Sequence, residues 1–127
     1  MNIWQSGRES YLIDEIIAGR KTVEGRLYRG KFQQYQPGDI IDLRRDYRDA
    51  DGVLHDGEPG AARVKIVAVR RYDSFYNMLK AEGYKKALPL AKSLEDAVLE
   101  YEKYYSKAEQ DKYGILAVEI VYLGEDS

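Results

Sequence analysis

The spacing of apolar positions changes several times along the chain, and each change marks an element. Leu12, Ile13, Ile16 and Ile17 fall on one face of a helix over residues 8–18. Ser6 and Glu9 ahead of them fit a capping box, in which each side chain satisfies an unpaired backbone N–H. Gly19 suits the turn that ends the helix. From Lys21 to Tyr28 the period drops to two. Val23 and Leu27 point one way, and Thr22, Glu24, Arg26 and Tyr28 the other.

Pro37-Gly38 marks a turn before a second strand, Asp39 to Arg45. Residues 46–60 hold Asp51-Gly52, Asp56-Gly57 and Pro59-Gly60 and predict a loop or a ragged hairpin. Ala62 to Arg71 reads as a third, central strand. Ser74 opens a short helix with Phe75, Met78 and Leu79 inward, and Gly83 closes it. Ser93 caps another, with Leu94, Ala97, Val98 and Tyr101 on one face. Ser106 with Glu109 is a second capping box, Gly114 a stop, and Ile115 to Leu123 a last strand. Strands interrupted by helices, without regular alternation, predict an α+β fold with a partly closed sheet.

Composition narrows the classes of function. A chain of 127 residues with 44% hydrophobic content predicts one domain over residues 1–127. No apolar run approaches the ~20 residues that span a membrane, and the first residues, MNIWQSGRES, do not resemble a signal peptide. The expectation is a cytoplasmic protein with no membrane partner. The absence of cysteine excludes disulfides, thiolate metal sites and a thiol nucleophile. The lone His55 lies in a polar stretch and cannot by itself build a His-rich metal site or a Ser-His-Asp triad. No metal and no cofactor are expected.

The net charge of −2 conceals segregation. Arg20, Lys21, Arg26, Arg44 and Arg45 belong to a predominantly basic stretch over residues 20–48, whereas residues 95–111 are predominantly acidic. One contiguous positive surface holding those five cations is expected, with affinity for an anionic polymer that falls steeply with salt. The densest part is Gly19-Arg20-Lys21-Thr22-Val23-Glu24-Gly25-Arg26-Leu27, at a helix-to-strand junction. Alternation puts Glu24 and Arg26 on one strand face, where they either pair with each other or meet one ligand together. Arg26 offers a planar fork of donors suited to phosphate or a base edge. Lys21 falls on the opposite face of an ideal strand, unless the turn at the helix exit redirects it.

GRKTVEGR resembles the signature G-x-K-x-x-E-x-R of the ASCH family, and it follows an amphipathic N-terminal helix as in that family. The phrase PGDII, the stretch RRYDSFYNMLK and the segment YYSKAEQDKYGILAVEI are also similar to family segments, so the likeness covers nearly the whole chain. The resemblance implies a PUA-like β-barrel with flanking helices around a cleft, the signature residues in that cleft, and RNA or a modified nucleoside as partner. It also implies two kinds of enzyme among family members: amidohydrolases that remove the acetyl group from acetylcytidine with a Lys, a Thr and a Glu, and ribonucleases.

Lys21, Glu24 and Arg26 match the signature residue by residue. The hydrolase-type members carry Thr where this chain has Glu24; Thr22 lies two residues earlier. Glu82 is available as a further carboxylate, but no motif pins it. The candidate catalytic pair is therefore Lys21 and Glu24. A Lys in a partly buried basic cleft can act as a base, with Arg26 holding the oxyanion, whereas the carboxylate of Glu24 favours a charged Lys21 and hence binding.

Tyrosines supply a second signal. RNA modules stack unpaired bases on aromatic rings, and Tyr105 and Tyr113, flanking a predicted helix, are candidates to line the cleft. Phe75 and Tyr101 read as core packing. Arg20, Lys21, Thr22, Glu24, Arg26, Arg44, Arg45, Tyr105 and Tyr113 are thus the expected ligand contacts. The favoured function is binding of RNA or a nucleoside; the alternatives are acetylcytidine amidohydrolysis and a protein-interaction domain. The oligomeric state is not legible from the sequence.

Overall fold

The computed structural model describes residues 1–124. Its strands are β1 (Ile3–Glu9), β2 (Val23–Leu27), β3 (Ile40–Arg48), β4 (Leu54–Tyr72) and β5 (Ile115–Tyr122). Its helices are α1 (Ser10–Ile17), α2 (Phe75–Glu82), α3 (Tyr84–Ala87), α4 (Leu94–Glu102) and α5 (Lys107–Tyr113), with a 3-10 turn at Gly30–Gln34. The strands form one mixed sheet in the order β1-β3-β4-β5-β2, curved into a half-barrel with flanking helices. β1 and β3 run parallel, and every other pairing is antiparallel. This is the α+β, PUA-like architecture that the sequence implied.

β5 shows how the half-barrel is held. Leu116, Val118 and Ile120 face one core with Ile13, Ile16, Ile41, Leu43, Val64 and Ile66. Ile115 and Ala117 face the other, with Val23, Leu27, Phe75, Met78 and Leu79. A strand apolar on both faces is buried on both. Phe75, Met78 and Leu79 are fully buried, and each such side chain contributes about 1.5–3 kcal/mol by leaving water. Ser74 accepts from the Asn77 N–H at 3.0 Å and starts α2. Ser106 and Glu109 form the reciprocal capping box at α5, and Gly114, at φ 72°, ends that helix.

Two expectations about the N-terminus are corrected. Ser6 and Glu9 do not cap a helix. Both lie in β1, where Ser6 pairs with Leu43 and its hydroxyl accepts from Arg8 Nη1 at 2.7 Å. The helix starts only at Ser10, after a Glu9 that makes no side-chain cap. The parallel ladder with β3 satisfies a run of backbone groups, against the ~1 kcal/mol of one cap. Ile17 is 39% exposed, whereas Ile13 and Ile16 are buried. The helix ends at Ile17 and, of its apolar side chains, buries Ile13 and Ile16 fully, with Glu15 buried beside them.

The turn-rich segment is a ragged hairpin. β3 continues to Arg48 and β4 returns from Leu54, with register shifts around Arg45. β5 pairs with β4 only from Val64 onward. β1 in turn leaves β3 at Asp46, so from Tyr47 and His55 outward the hairpin is a two-stranded ribbon.

Candidate functional site

No hydrogen-bond ladder joins β1 to β2, the two edges of the sheet. A cluster of charged side chains meets there instead. Val23 and Leu27 of β2 pack on the helical core, so alternation turns Glu24 and Arg26 to the opposite face. Gly25 lies against Met78 and Phe75, where an added Cβ would sit 2.9 Å from Met78 Cε.

Lys21 arrives by a different route. At the end of α1, the N–H groups of Arg20 and Lys21 both donate to the Glu15 carbonyl, at 3.0 and 3.1 Å. Gly19, at φ 78°, supplies the left-handed turn. The chain thereby folds Lys21 inward ahead of the strand, where strand alternation does not govern it. Its Nζ donates to the carbonyls of Ala87 at 2.5 Å and Val23 at 3.0 Å, and lies 3.8 Å from Glu24 Oε1.

From β1, Arg8 Nε donates to the same Glu24 oxygen at 2.6 Å. Its Nη1 is held by Ser6 Oγ and the Gly7 carbonyl. Arg26 Nη1 donates to the Tyr105 hydroxyl at 3.3 Å, and its guanidinium lies 5.3 Å from the centre of the Phe32 ring. Arg26 Nε is buried without a hydrogen-bond partner.

These groups line a cavity of about 260 Å³, with Tyr11, Leu12, Leu88, Tyr101, Tyr104 and Tyr105 as further walls and Glu9 and Glu100 beside them. Phe75 stacks behind two of the walls, with its ring centre 4.5 Å from that of Tyr101 and 5.1 Å from that of Tyr105. Both rings are thus backed by the core.

Burial and mutual charge set the protonation states. Burial, and then the neighbouring Arg8 and Arg26, lower Lys21 to about 8 against the pull of Glu24. Burial alone would raise Glu24, but Arg8, Lys21 and Arg26 together outweigh it and hold the carboxyl at about 2. Burial strongly raises the Tyr101 hydroxyl, which stays protonated.

Of the expected contacts, the structure brings Lys21, Glu24, Arg26 and Tyr105 together and leaves the others outside this cavity. Arg20 pairs with Glu15. Arg44 pairs with Asp46 and Asp56, and Arg45 with Asp14. Thr22 anchors β2 through backbone bonds to Lys86 and Ile120. Tyr113 lies under Arg29 and Lys112. Glu82 is occupied by Arg70 and the Tyr72 hydroxyl. Several cavity residues escaped the sequence reading, Arg8, Tyr11, Tyr101 and Tyr104 among them. Tyr101 was assigned to core packing, and Arg8 lay in a segment taken for the start of a helix. Only recognition of β1 could have brought Arg8 to notice. Among the described residues, no group of three His, Cys, Asp or Glu side chains is placed to hold a metal ion. No helix is long and apolar enough to cross a membrane.

A PUA-like half-barrel whose two edges meet at a charged, tyrosine-walled cavity defines the class. The ASCH domain model matches residues 9–122, and the chain belongs to the ASCH domain family. In structure it is similar to hypothetical protein PH0355, at 36% identity and a TM-score of 0.80, over 95% of this chain and 99% of that one. Protein PF0455 from Pyrococcus furiosus is 34% identical with a TM-score of 0.74, over 95% and 97% of the two chains. The ZmASCH protein of Zymomonas mobilis shares the fold at 14% identity and a TM-score of 0.59, over 98% of this chain and 76% of that one. No functionally curated protein matches the chain in sequence.

Proposed function

We propose that this chain binds a nucleoside, or a single unpaired nucleotide of RNA, in the cavity between β1, β2 and α4. The observation that carries the reading is the juxtaposition of the Arg26 fork with tyrosine rings in one small enclosure. At about 260 Å³ the cavity is below the roughly 300–1,000 Å³ of drug-sized sites. That size suits one ring system and its sugar, and an adjoining cavity of about 450 Å³ that shares Tyr11, Leu12, Leu88 and Glu100 leaves room for a flanking group. Arg26 can donate two parallel hydrogen bonds to oxygens of the ligand. Glu24, ionised, can accept from an amino or hydroxyl group. The tyrosine rings offer stacking or edge contacts to a base, worth ~1–3 kcal/mol each.

Lys21 favours a second reading, amide hydrolysis of an acylated nucleoside such as acetylcytidine. With a pKa of about 8, roughly a tenth of the amine is neutral at neutral pH. A neutral amine has two N–H donors, and here two carbonyls accept them, which leaves the lone pair available as a base toward a water. Arg26 would hold the developing oxyanion. Glu24, which stands where the hydrolase-type members carry Thr, weighs for binding. Titration of the purified chain with nucleosides and short RNAs, with acetate release from acetylcytidine followed in parallel, tests both readings. Saturable nucleoside binding without acetate release supports the first, acetate release supports the second, and neither result removes both.

A further inference from the structure

The buried cluster has more positive than negative charge. Arg8, Lys21 and Arg26 share one carboxylate, Glu24, and Arg8, Lys21 and Glu24 are all less than a tenth exposed. Glu24 serves them unequally: it holds Arg8 at 2.6 Å and Lys21 at 3.8 Å. Among the described residues no carboxylate lies within ion-pair distance of Arg26, whose only hydrogen bond is to a phenol. Burial opposes the charge on Arg26, but Glu24, acting through space, and Tyr105 together more than offset it, so the guanidinium stays charged. Its fork nevertheless makes no ion pair among those residues, and its buried Nε meets no acceptor, which leaves donors for an oxygen that the fold does not supply. The depressed pKa of Lys21 is a second sign of the same excess, since burial and two guanidinium neighbours oppose its proton.

We infer that the floor of the cavity is an oxyanion site, in which Arg26 and Lys21 receive one compact anionic group, a carboxylate or a phosphoryl group, belonging to the ligand. The inference rests on the same cavity as the nucleoside reading and, within it, favours a ligand with one anionic group, such as the single nucleotide, over a neutral nucleoside. The rim sets the other limit. Glu9 and Glu100 line the cavity and are more exposed than the cluster, and each is already paired with a surface cation, Arg48 or Lys103. With each carboxylate there matched by its own cation, these pairs offer no net positive charge to hold a run of phosphates. The site therefore suits one anionic group on a small molecule better than a polyanion.

The experiment is calorimetric titration of the intact chain at about pH 7, with Lys21 mostly charged, at constant ionic strength. Sodium acetate and inorganic phosphate are the separate probes. At least one is expected to bind saturably at one site. Preference for acetate identifies a carboxylate, and preference for phosphate a phosphoryl group. R26Q should lower the affinity by about tenfold or more, whereas R45Q, which changes a surface cation paired with Asp14, should not. If R26Q does not fold, R26K, which keeps the charge and loses the fork, should still weaken binding. No saturable binding of either anion, or equal affinity in wild type and the Arg26 variant, overturns the inference. Nucleoside titrations separate the two readings. If the anions bind and nucleosides do not, the nucleoside reading falls and the oxyanion site stands. If nucleosides bind and the anions neither bind nor compete, the oxyanion site falls and the nucleoside reading stands.

Discussion

Arg8 and Glu24 join the two strands that the hydrogen-bonded sheet leaves at its edges. Their contact, 2.6 Å long and buried on both sides, ties β1 to β2 where no backbone ladder does. Both side chains line the cavity, so the contact that links the sheet edges is also part of the site. Breaking a buried pair by removing one partner typically costs ~3–5 kcal/mol. Glu24→Ala, which leaves Arg8 and Lys21 buried without their carboxylate, should lower stability in urea unfolding by about that amount. Arg8→Ala should cost less, because Lys21 and Arg26 still compensate Glu24, and the double variant should cost less than the sum of the two.

Glu24 also predicts an acid dependence. Its folded pKa, about 2, lies below the ordinary value of 4.5, so the unfolded chain binds the extra proton. The stabilisation is complete above about pH 4.5 and is lost as the pH falls toward 2, to a total of about 3 kcal/mol. Between those limits wild type should lose stability more steeply than Glu24→Gln, measured by chemical unfolding at a series of pH values.

Lys21 adds a second dependence of the same sign at alkaline pH. Its folded pKa, about 8, is below the ordinary 10.5. Between these values the unfolded chain holds the proton more tightly, and below about pH 8 the cost of charging the buried amine is present in full. Stability should therefore gain a rising contribution as pH increases from about 8 to 10. Lys21→Met should remove that contribution.

Ligand contacts separate the functional readings. Arg26→Gln should weaken nucleoside binding by about tenfold or more, and Tyr105→Phe, which deletes the acceptor for Arg26 Nη1, by a few-fold. If the chain is a hydrolase, Lys21→Ala should abolish acetate release and retain binding, because loss of the base damages the transition state more than the ground state. Isothermal titration and a coupled acetate assay would read the two effects.

Gly25 tests how closely β2 is seated on α2. Alanine there would place its Cβ 2.9 Å from Met78 Cε, 3.0 Å from Met78 Sδ and 3.1 Å from Phe75 Cε1. Gly25→Ala should cost about 1–3 kcal/mol, and Met78→Val in the same chain should recover part of it. Thermal unfolding of the three variants would show the coupling.

What the sequence made legible was local. The Ser74 cap and Phe75-Met78-Leu79 stripe of α2, the capping box of α5, the Ala62 to Arg71 part of β4 and the strand β5 all carry their signals within a few residues. The Lys21-Glu24-Arg26 constellation was legible because a six-residue stretch contains it whole. β1 was not, because its ladder partner β3 lies 37 positions away at Ile3↔Ile40 and Asp42↔Gln5, and nothing nearby distinguishes Ser6 in a strand from Ser6 at a cap. Arg8 was missed with it. The charge pattern also said nothing about pairing: Arg20, Arg44 and Arg45 looked like free cations in the chain, yet each meets a carboxylate in the fold.

The ribbon formed by the outer ends of β3 and β4 offers a practical handle. Two strands without a third neighbour are marginal in water, so its amides should exchange with solvent before those of β5. Its tip, Asp49 to Val53, closes through hydrogen bonds of Asp49 and one from Arg48 Nη1 to the Gly52 carbonyl and contributes no wall to the cavity. Exposed tips of this kind accept added sequence. A fluorescent or affinity peptide spliced between Asp51 and Gly52 would therefore label the protein away from its ligand, and the labelled chain would serve as a reporter for screening candidate small molecules.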